Sequence, residues 1–302
     1  MATTPDHGAL TRRMTPMRAY VVLDVFTAVP LQGNPVAVFT DAAGLSDEIM
    51  QRAARELNLS ETVFLLDDGE GGAPDGDVDA RARIFTPAVE LPFAGHPVLG
   101  TAFVVGAWTG ADEVRLRTGA GVVPIALRRR GGEIVFGEMS QPIPSWEPFD
   151  RAADVLAALG VKRAALPVEV YDNGPRHVMV TVEDPEIVAC LHPDLGALRE
   201  LGAVGVSCFA MTGERGVATR MFAPGLGVTE DPATGSAAGP LALHLARHGR
   251  IGFEEWIEIR QGVEIGRPSI LLAVAEGSPS AVARVAVGGC AVVVASGEYR
   301  LD

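Results

Sequence analysis

Pro92-Phe93-Ala94-Gly95-His96 and Pro232-Ala233-Thr234-Gly235-Ser236 are two versions of one pattern, in which a proline, two further residues, a glycine and a polar residue follow one another. The two stretches lie 140 positions apart. Each comes shortly after an apolar segment that ends in Phe-x-Pro, and each glycine is followed by small and apolar residues typical of a buried helix. The pattern predicts that a strand, a crossing loop and a helix occur twice in this order.

Two further pairs of matching segments favour a duplication. Arg83-Ile84-Phe85-Thr86-Pro87 recurs 137 positions later as Arg220-Met221-Phe222-Ala223-Pro224. Gly33-Asn34-Pro35 resembles Asn173-Gly174-Pro175, whose proline lies 140 positions later. Because three matches follow one another at nearly the same offset, chance similarity between common turn and strand segments is the weaker explanation. The sequence predicts two copies of one unit, each about half of the chain.

The predicted elements follow the same order in both copies. The predicted strands cover residues 19–26, 35–40, 62–66 and 81–85 in the first copy, and residues 167–171, 177–182, 204–211 and 217–222 in the second. The predicted apolar helices cover residues 97–108 and 236–248, and the first copy adds an amphipathic helix with Ser46 as its N-cap. Since strands outnumber helices and each copy offers one apolar helix to cover, we expect an α+β fold with two domains.

Composition and charge exclude several classes of protein. The formal net charge of −13 opposes binding to nucleic acid or to an anionic membrane. The longest apolar runs fall far short of the ~18 residues that a membrane span needs. Residues 1–17 lack the apolar region of a signal peptide, so we expect a disordered tail and a cytoplasmic protein.

Cofactor motifs are missing from the sequence. The three cysteines, Cys190, Cys208 and Cys290, are widely spaced and form no CxxC pair, which argues against a thiolate zinc site. Lys162 is the only lysine, so a pyridoxal phosphate enzyme would depend on that one residue for its Schiff base. The chain has no Walker A segment and no complete dinucleotide fingerprint. We therefore expect neither a metal nor an organic cofactor.

The two glycine-led helix starts form a candidate binding site. The first N–H groups of a helix have no partner within the helix, and the helix dipole favours negative charge there. If Gly95-His96 and Gly235-Ser236 face each other across a cleft, they would hold a small carboxylate or a developing enolate between them. Taken singly, either glycine could instead belong to an ordinary turn.

Glu61 is the candidate base, because it lies between a helix and an apolar strand, where burial would raise its pKa. The alternative is a solvated glutamate at a strand edge. The corresponding segment of the second copy, Val206-Ser207-Cys208-Phe209, contains no carboxylate. One group would then remove the proton and return it.

Asp231 and His96 are the other polar candidates near the two glycines. Asp231 either takes part in the chemistry or caps the glycine loop. His96 either donates a hydrogen bond to the substrate or acts as an acid, or it bonds to the backbone at the start of its helix.

Seven groups of residues resemble the signature of the PhzF-like family and occur in the family's order. They are Asp24-Val25-Phe26-Thr27, Gly33-Asn34-Pro35, Ser60-Glu61-Thr62, Pro92-Phe93-Ala94-Gly95-His96-Pro97, Glu230-Asp231-Pro232-Ala233-Thr234-Gly235-Ser236-Ala237, Gln261-Gly262 with Gly266-Arg267-Pro268-Ser269, and Val287-Gly288-Gly289. The similarity extends from about Tyr20 to the C-terminus.

The resemblance implies a diaminopimelate-epimerase-like fold, with two pseudo-symmetric domains that each wrap a barrel-like, mostly antiparallel sheet around a central helix. We expect a disordered tail over residues 1–17 and a first half-domain over residues 18–128, completed by a C-terminal strand at residues 291–302. Residues 129–290 would form the second half-domain. Members of the family are usually homodimers, so we expect a homodimer.

The resemblance also implies an activity and a set of site residues. The type member of the family isomerises trans-2,3-dihydro-3-hydroxyanthranilate in phenazine biosynthesis without a cofactor. Its residues match Glu61, His96 and Asp231 as catalytic residues and Gly95, Gly235 and Ser236 as substrate-binding residues. We therefore expect an isomerase that moves a proton by general acid–base catalysis on a small carboxylate substrate.

Two other functions remain open at this point. A non-catalytic protein that binds small carboxylates or partners could have the same fold. An amino-acid epimerase with two bases is disfavoured, because related racemases place two cysteines at the helix-start loops, where this chain has His96 and Ser236.

Overall fold

The computed structural model describes residues 17–66 and 78–301. Its strands are β1 Met17–Val25, β2 Asn34–Phe39, β3 Glu61–Leu66, β4 Ala80–Phe85, β5 Glu90–Leu91, β6 Glu113–Thr118, β7 Gly121–Arg130, β8 Glu133–Gln141, β9 Ser145–Pro148, β10 Glu169–Asp172, β11 Arg176–Thr181, β12 Gly205–Met211, β13 Gly216–Ala223, β14 Val228–Asp231, β15 Ile257–Gln261, β16 Ser269–Ser278, β17 Ala281–Gly289 and β18 Ala291–Arg300. The helices are α1 Asp47–Leu57, α2 Gly95–Thr109, α3 Ala152–Leu159, α4 Pro185–Ala189, α5 Leu195–Arg199 and α6 Gly235–Arg247, with a 3₁₀ turn at Pro224–Leu226. The tail predicted over residues 1–17 lies outside the described residues, except that Met17 already begins β1.

The strands pair in one continuous order that has a twofold pattern. The order is β18-β1-β2-β3-β4-β6-β7-β8-β17-β16-β15-β13-β12-β11-β10-β9, with the short strands β5 and β14 attached to β4 and β13. The parallel pairs also correspond: β2 with β3 matches β11 with β12, and β4 with β6 matches β13 with β15. All other pairs are antiparallel. The predicted pseudo-symmetric α+β architecture is therefore present.

Each half of this sheet curves around one helix. The helix α2 packs against β1–β4, β6–β8 and β18, and α6 packs against β11, β16 and β17. Every residue of α2 from Gly95 to Gly106 is buried, as expected for a helix that is apolar all round. The two helices also contact each other, so their N-terminal ends meet at the centre of the molecule.

The remaining helices cover the outer faces of the sheet. α1 is amphipathic, and it packs Met50, Ala53 and Ala54 onto an aromatic layer that contains Phe39 and Phe64. As predicted, Ser46 caps this helix by accepting a hydrogen bond from the backbone of Ile49. In the second half, α3, α4 and α5 contribute buried residues to a separate apolar cluster.

The strand pairing indicates where along the chain the first half ends and the second begins. β18 pairs with β1, with Met17 opposite Arg300 and Val25 opposite Ala291. The predicted boundary after residue 128 falls within β7. In the twofold order of strand pairing, the strands of the first half run up to β8 and those of the second half begin with β9. Among the described residues, no helix combines the length and apolar character that crossing a membrane would require.

Candidate active site

The helix starts of α2 and α6 touch through two glycines. A Cβ atom on Gly95 would lie 2.5 Å from the backbone nitrogen of Ser236 and 2.6 Å from Cα of Gly235. A Cβ atom on Gly235 would lie 3.0 Å from Cα of Gly95 and 3.0 Å from the ring of Phe26. Since real Cβ atoms do not approach backbone atoms this closely, glycine is required for the contact at Gly95.

No side chain caps either helix start. The N-cap residues are Ala94 and Thr234, neither of which makes a side-chain capping bond, and neither first turn contains an acidic residue. The first N–H groups of both helices therefore retain their preference for an anion.

A cavity opens at this contact, and all six predicted site residues line it. They are Glu61, Gly95, His96, Asp231, Gly235 and Ser236. Apolar side chains complete the wall, including Leu91, Met221, Leu226 and Val228. The lining thus combines a few ionisable side chains with apolar ones, as sites for small molecules generally do. The roles predicted for the six residues remain predictions.

Glu61 is the first residue of β3 and points its carboxyl group into the cavity. Its side chain is only 14% exposed, and its Oε2 atom is buried without a hydrogen-bond partner in the described part of the chain. Burial, together with the nearby negative charge of Asp231, raises the pKa of Glu61 well above its ordinary value of 4.5. This combination is typical of a general acid–base residue.

Asp231 is held by three donors at the end of β14. Its Oδ1 accepts hydrogen bonds from Asn34 Nδ2 at 2.8 Å and Ser60 Oγ at 3.2 Å, and its Oδ2 accepts one from Thr234 Oγ1 at 2.6 Å. Burial raises the pKa of Asp231 to about 6, although these donors favour the ionised form. The negative charge of Asp231 in turn contributes to the raised pKa of Glu61.

His96 lies between these two carboxyl groups at the start of α2. Its Nε2 is 3.4 Å from Oε2 of Glu61, and its Nδ1 is 3.2 Å from Nδ2 of Asn34. Burial lowers the pKa of His96 to about 3, so the imidazole is neutral near pH 7. A neutral ring next to Glu61 can exchange hydrogen bonds with the substrate without adding a charge.

Several residues that hold Asp231 in place were not predicted as site residues from the sequence. Asn34 and Ser60 stand in the quoted segments, but only the structure brings them to a carboxyl group that follows them by 197 and 171 positions. Gln261 joins the network by donating from Nε2 to the backbone oxygen of Asp231 at 2.7 Å and to Oγ1 of Thr234 at 2.9 Å. The signal available in the sequence was the presence of small polar residues next to glycine or proline in apolar surroundings.

A second polar pair lies on the other side of the helix contact. Nε2 of His177 is 3.1 Å from Oγ of Ser236, and Asn173 donates from Nδ2 to the backbone oxygen of Ser236 at 2.9 Å. Both His177 and Ser236 are buried and line the cavity. The matching segments of the two copies do not include His177, so the sequence gave no sign of a role for it.

One group of side chains with metal-ligand chemistry lies away from this cavity. Glu169, His244 and His248 bring three ligand atoms close together, and none of them lines the cavity. Arg247 donates to Oε2 of Glu169 at 2.7 Å, so a guanidinium already supplies the positive charge that this carboxylate needs. The three cysteines, all of them among the described residues, lie outside the cavity lining as well.

Comparison with known proteins identifies the family. The family model described as phenazine biosynthesis-like protein, PhzC-PhzF, matches residues 23–297. Trans-2,3-dihydro-3-hydroxyanthranilate isomerase of Pseudomonas aeruginosa is 55% identical over 285 residues, which cover 94% of this chain and 100% of that protein. The protein of the same name from Pseudomonas fluorescens is 50% identical over the same shares of both chains. The solved structure of a predicted epimerase from Pseudomonas aeruginosa superposes with a TM-score of 0.77 at 33% identity, covering 93% and 98% of the two chains.

The fold and the relatives define the class of protein as an isomerase with the diaminopimelate-epimerase-like architecture. The chain belongs to the phenazine biosynthesis-like (PhzF) family. The predictions of the family, the fold class and an isomerase are confirmed, and the relatives do not support the non-catalytic alternative.

Proposed function

We propose that this chain isomerises trans-2,3-dihydro-3-hydroxyanthranilate, with Glu61 as the group that moves the proton. The name of the substrate describes a dihydro ring with a carboxylate, an amino group and a hydroxyl group. The proposal is supported by the relatives at 50% identity or more that carry this name and are matched over their full length. The helix starts offer a place for the carboxylate, and the apolar wall offers a place for the ring.

Isomerisation conserves the atoms of the substrate, so the enzyme needs to move only a proton and two electrons. Ionised Glu61 removes a proton from a ring carbon, and the electron pair of the broken C–H bond enters the conjugated system. Protonated Glu61 then gives the proton to a different carbon of that system. A raised pKa suits both steps, because it strengthens the carboxylate as a base while the acid can still release its proton.

The neighbours of Glu61 divide the remaining tasks. Gly95 and Gly235 let the two helix starts approach the substrate carboxylate, and Ser236 adds a hydroxyl group. Asp231 stays ionised and keeps the pKa of Glu61 high, while neutral His96 contacts the reacting region. The observation that carries the proposal is the buried carboxyl group of Glu61, which has no hydrogen-bond partner on Oε2 within the described residues.

The direct test is turnover of trans-2,3-dihydro-3-hydroxyanthranilate, followed by proton NMR, with the wild-type protein and two variants. Loss of a catalytic base typically costs about 10²–10⁴-fold, so we expect Glu61→Gln to lower kcat by that factor. Glu133→Gln is the matched control, because Glu133 is exposed at the start of β8. We expect its kcat to stay within about twofold of wild type.

Turnover in deuterated water adds a second measurement to this test. If Glu61 carries one proton between two carbons inside the cavity, the product should contain less than one deuterium at the new C–H position. Wild-type kcat in Glu61→Gln would refute the role of Glu61, and no turnover by the wild-type protein would refute the proposed substrate.

We also propose the assembly and the location expected from the family resemblance, together with a domain boundary after β8 in place of the one expected after residue 128. The chain would form a homodimer in the cytoplasm, with a first unit of β1–β8 and β18 and a second unit of β9–β17. The division between residues 141 and 145 is supported by the twofold order of strand pairing. A solution mass of one 31.6 kDa chain would contradict the homodimer.

A further inference from the structure

The strand registers show which residue of the second half corresponds to Glu61. In the first half, β2 and β3 pair in parallel with Val36 opposite Glu61. In the second half, β11 and β12 pair in the same way with His177 opposite Gly205. Glu61 and Gly205 each begin their strand, so the two residues occupy equivalent places.

His177 fills the space that the missing side chain at Gly205 leaves. Directly opposed residues of paired strands project from the same face of the sheet. A Cβ atom on Gly205 would lie 2.9 Å from Nδ1 of His177, which means that the imidazole covers Gly205. At this place in the second half, the ionisable side chain therefore comes from the neighbouring strand β11.

In each half, one side chain from a strand therefore lies close to the second residue of the central helix. In the first half, Glu61 lies 3.4 Å from His96, the second residue of α2. In the second half, His177 lies 3.1 Å from Ser236, the second residue of α6. The two pairs line the same cavity.

The hydrogen bonds of His177 decide how Ser236 presents its hydroxyl group. Burial lowers the pKa of His177 to about 4, so its imidazole is neutral near pH 7 and carries one proton. Nδ1 is buried and has no hydrogen-bond partner among the described residues. A buried N–H without an acceptor is rare, which favours the form with the proton on Nε2.

With its proton on Nε2, His177 donates to Oγ of Ser236. The hydroxyl hydrogen of Ser236 is then free to turn towards another acceptor. The adjacent backbone N–H groups at the start of α6 can donate to the same acceptor. A carboxylate oxygen accepts such bonds more strongly than the carbonyl oxygen of a neutral amide, because it carries negative charge.

We propose that His177 is a positioning residue that keeps Ser236 as a hydrogen-bond donor and so makes this half of the cavity select a carboxylate over its neutral amide. This inference rests on the proposed binding of a carboxylate substrate in the cavity. It assigns His177 to recognition of the carboxylate and leaves proton transfer to Glu61.

The experiment measures binding by calorimetry, with anthranilate and anthranilamide as the two probes. We compare the wild-type protein with His177→Leu, which cannot donate, and His177→Gln, which keeps a side-chain N–H donor. A hydrogen bond to a charged group is worth about tenfold or more in affinity. We expect His177→Leu to weaken anthranilate binding about tenfold and anthranilamide binding clearly less, because a bond to a neutral acceptor is weaker, while His177→Gln restores most of the lost affinity.

Ser236→Ala and the double variant Ser236→Ala with His177→Leu complete a thermodynamic cycle. If His177 acts through Ser236, the second change should add little to the loss caused by the first. In turnover, His177→Leu should raise KM more than it lowers kcat, and the pH profile of kcat should stay in place.

Several results would overturn the inference. These are equal loss for both probes, additive losses in the cycle, or a fall in kcat with a shifted pH profile in both His177 variants. Binding does not require turnover, so the carboxylate preference can hold even if the proposed isomerisation fails. The Gln and Ala variants keep the test valid if His177→Leu does not fold.

Discussion

Arg83 in β4 and Arg220 in β13 make matching ion pairs in the two halves of the molecule. Arg83 donates from Nε and Nη2 to the two oxygens of Glu90 at 2.8 and 2.7 Å, and Arg220 donates in the same way to Glu230 at 2.8 Å each. Each guanidinium also lies 5.2 Å from the ring of the phenylalanine two positions later. The duplication has kept the geometry of this pair.

The surroundings of the two pairs differ. The side chains of Arg83 and Glu90 are 18% and 42% exposed, whereas those of Arg220 and Glu230 are both 10% exposed. Arg220 also donates to the backbone oxygen of Leu191 at 2.8 Å. Glu230 directly precedes Asp231, so the buried pair anchors the end of β14, which carries a candidate catalytic carboxylate.

The cavity-facing residues differ even more between the halves. The first half supplies Glu61 and Leu91, and the equivalent positions of the second half hold Gly205 and Asp231. Each half therefore contributes one carboxyl group, from different strands, to a shared cavity. A symmetric scaffold can thus hold an asymmetric set of charges, because only the backbone contacts need to match.

The largest expected effect is on the free energy of unfolding, when one of the two ion pairs is removed. Arg220→Met leaves a largely buried carboxylate without its partner, so we expect a loss of about 3–5 kcal/mol in the free energy of unfolding. Arg83→Met removes two more exposed pairs, one with Glu90 and one with Asp47, and we expect a loss of about 1 kcal/mol. Urea denaturation of both variants measures the difference, and equal losses would show that burial does not separate the two halves.

The next effect concerns the glycine contact. A Cβ on Gly95 meets backbone atoms at 2.5 Å, whereas a Cβ on Gly235 meets its nearest atoms at 3.0 Å. Overpacking of a buried site typically costs about 1–3 kcal/mol, so we expect Gly95→Ala near the upper end and Gly235→Ala near the lower end. Thermal unfolding checks the order, and a larger loss for Gly235→Ala would contradict the geometry of the contact.

The smallest effect is the pH dependence of stability that Glu61 causes. Its pKa in the folded state lies above the ordinary value of 4.5, so the folded chain binds more protons than the unfolded chain as the pH rises from 4.5 to the folded pKa. In that window, Glu61 makes the free energy of unfolding fall. We expect Glu61→Gln to match wild type near pH 4 and to become more stable than wild type at higher pH.

Chemical denaturation at a series of pH values measures this change, with Glu133→Gln as the control. The control should differ from wild type by a nearly constant amount. A parallel curve for Glu61→Gln would mean that the pKa of Glu61 is not raised in the folded protein.

Most of the elements near the site could be predicted from the sequence. The apolar helices, the Ser46 cap and the strands around Glu61 have local patterns of period, cap and turn residues. Strands β6–β9 and β14–β17 were not predicted, and neither were α3, α4 and α5. Several of these elements are short or exposed on one side, and pairing with distant strands determines their structure.

The residues that hold the site in place could not be predicted from the sequence either. Asn34 stands in a recognisable turn segment, but its amide reaches Asp231 in the other half of the chain. His177 looks like any polar residue at a strand start until the register places it over Gly205. No local pattern carries information about a contact across 28 or 197 positions.

The duplication, the two helix starts with glycine and the role of Glu61 at the start of β3 could all be predicted from the amino-acid sequence. These features are local, because glycine is needed wherever two backbones approach closely and the periodicity of apolar residues follows the element. Which side chains meet in the cavity, and which of them hold a proton, depends on how the two halves fold against each other. The pKa of Glu61 depends on burial and on a charge that the other half of the chain provides, and both exist only after the halves have folded together.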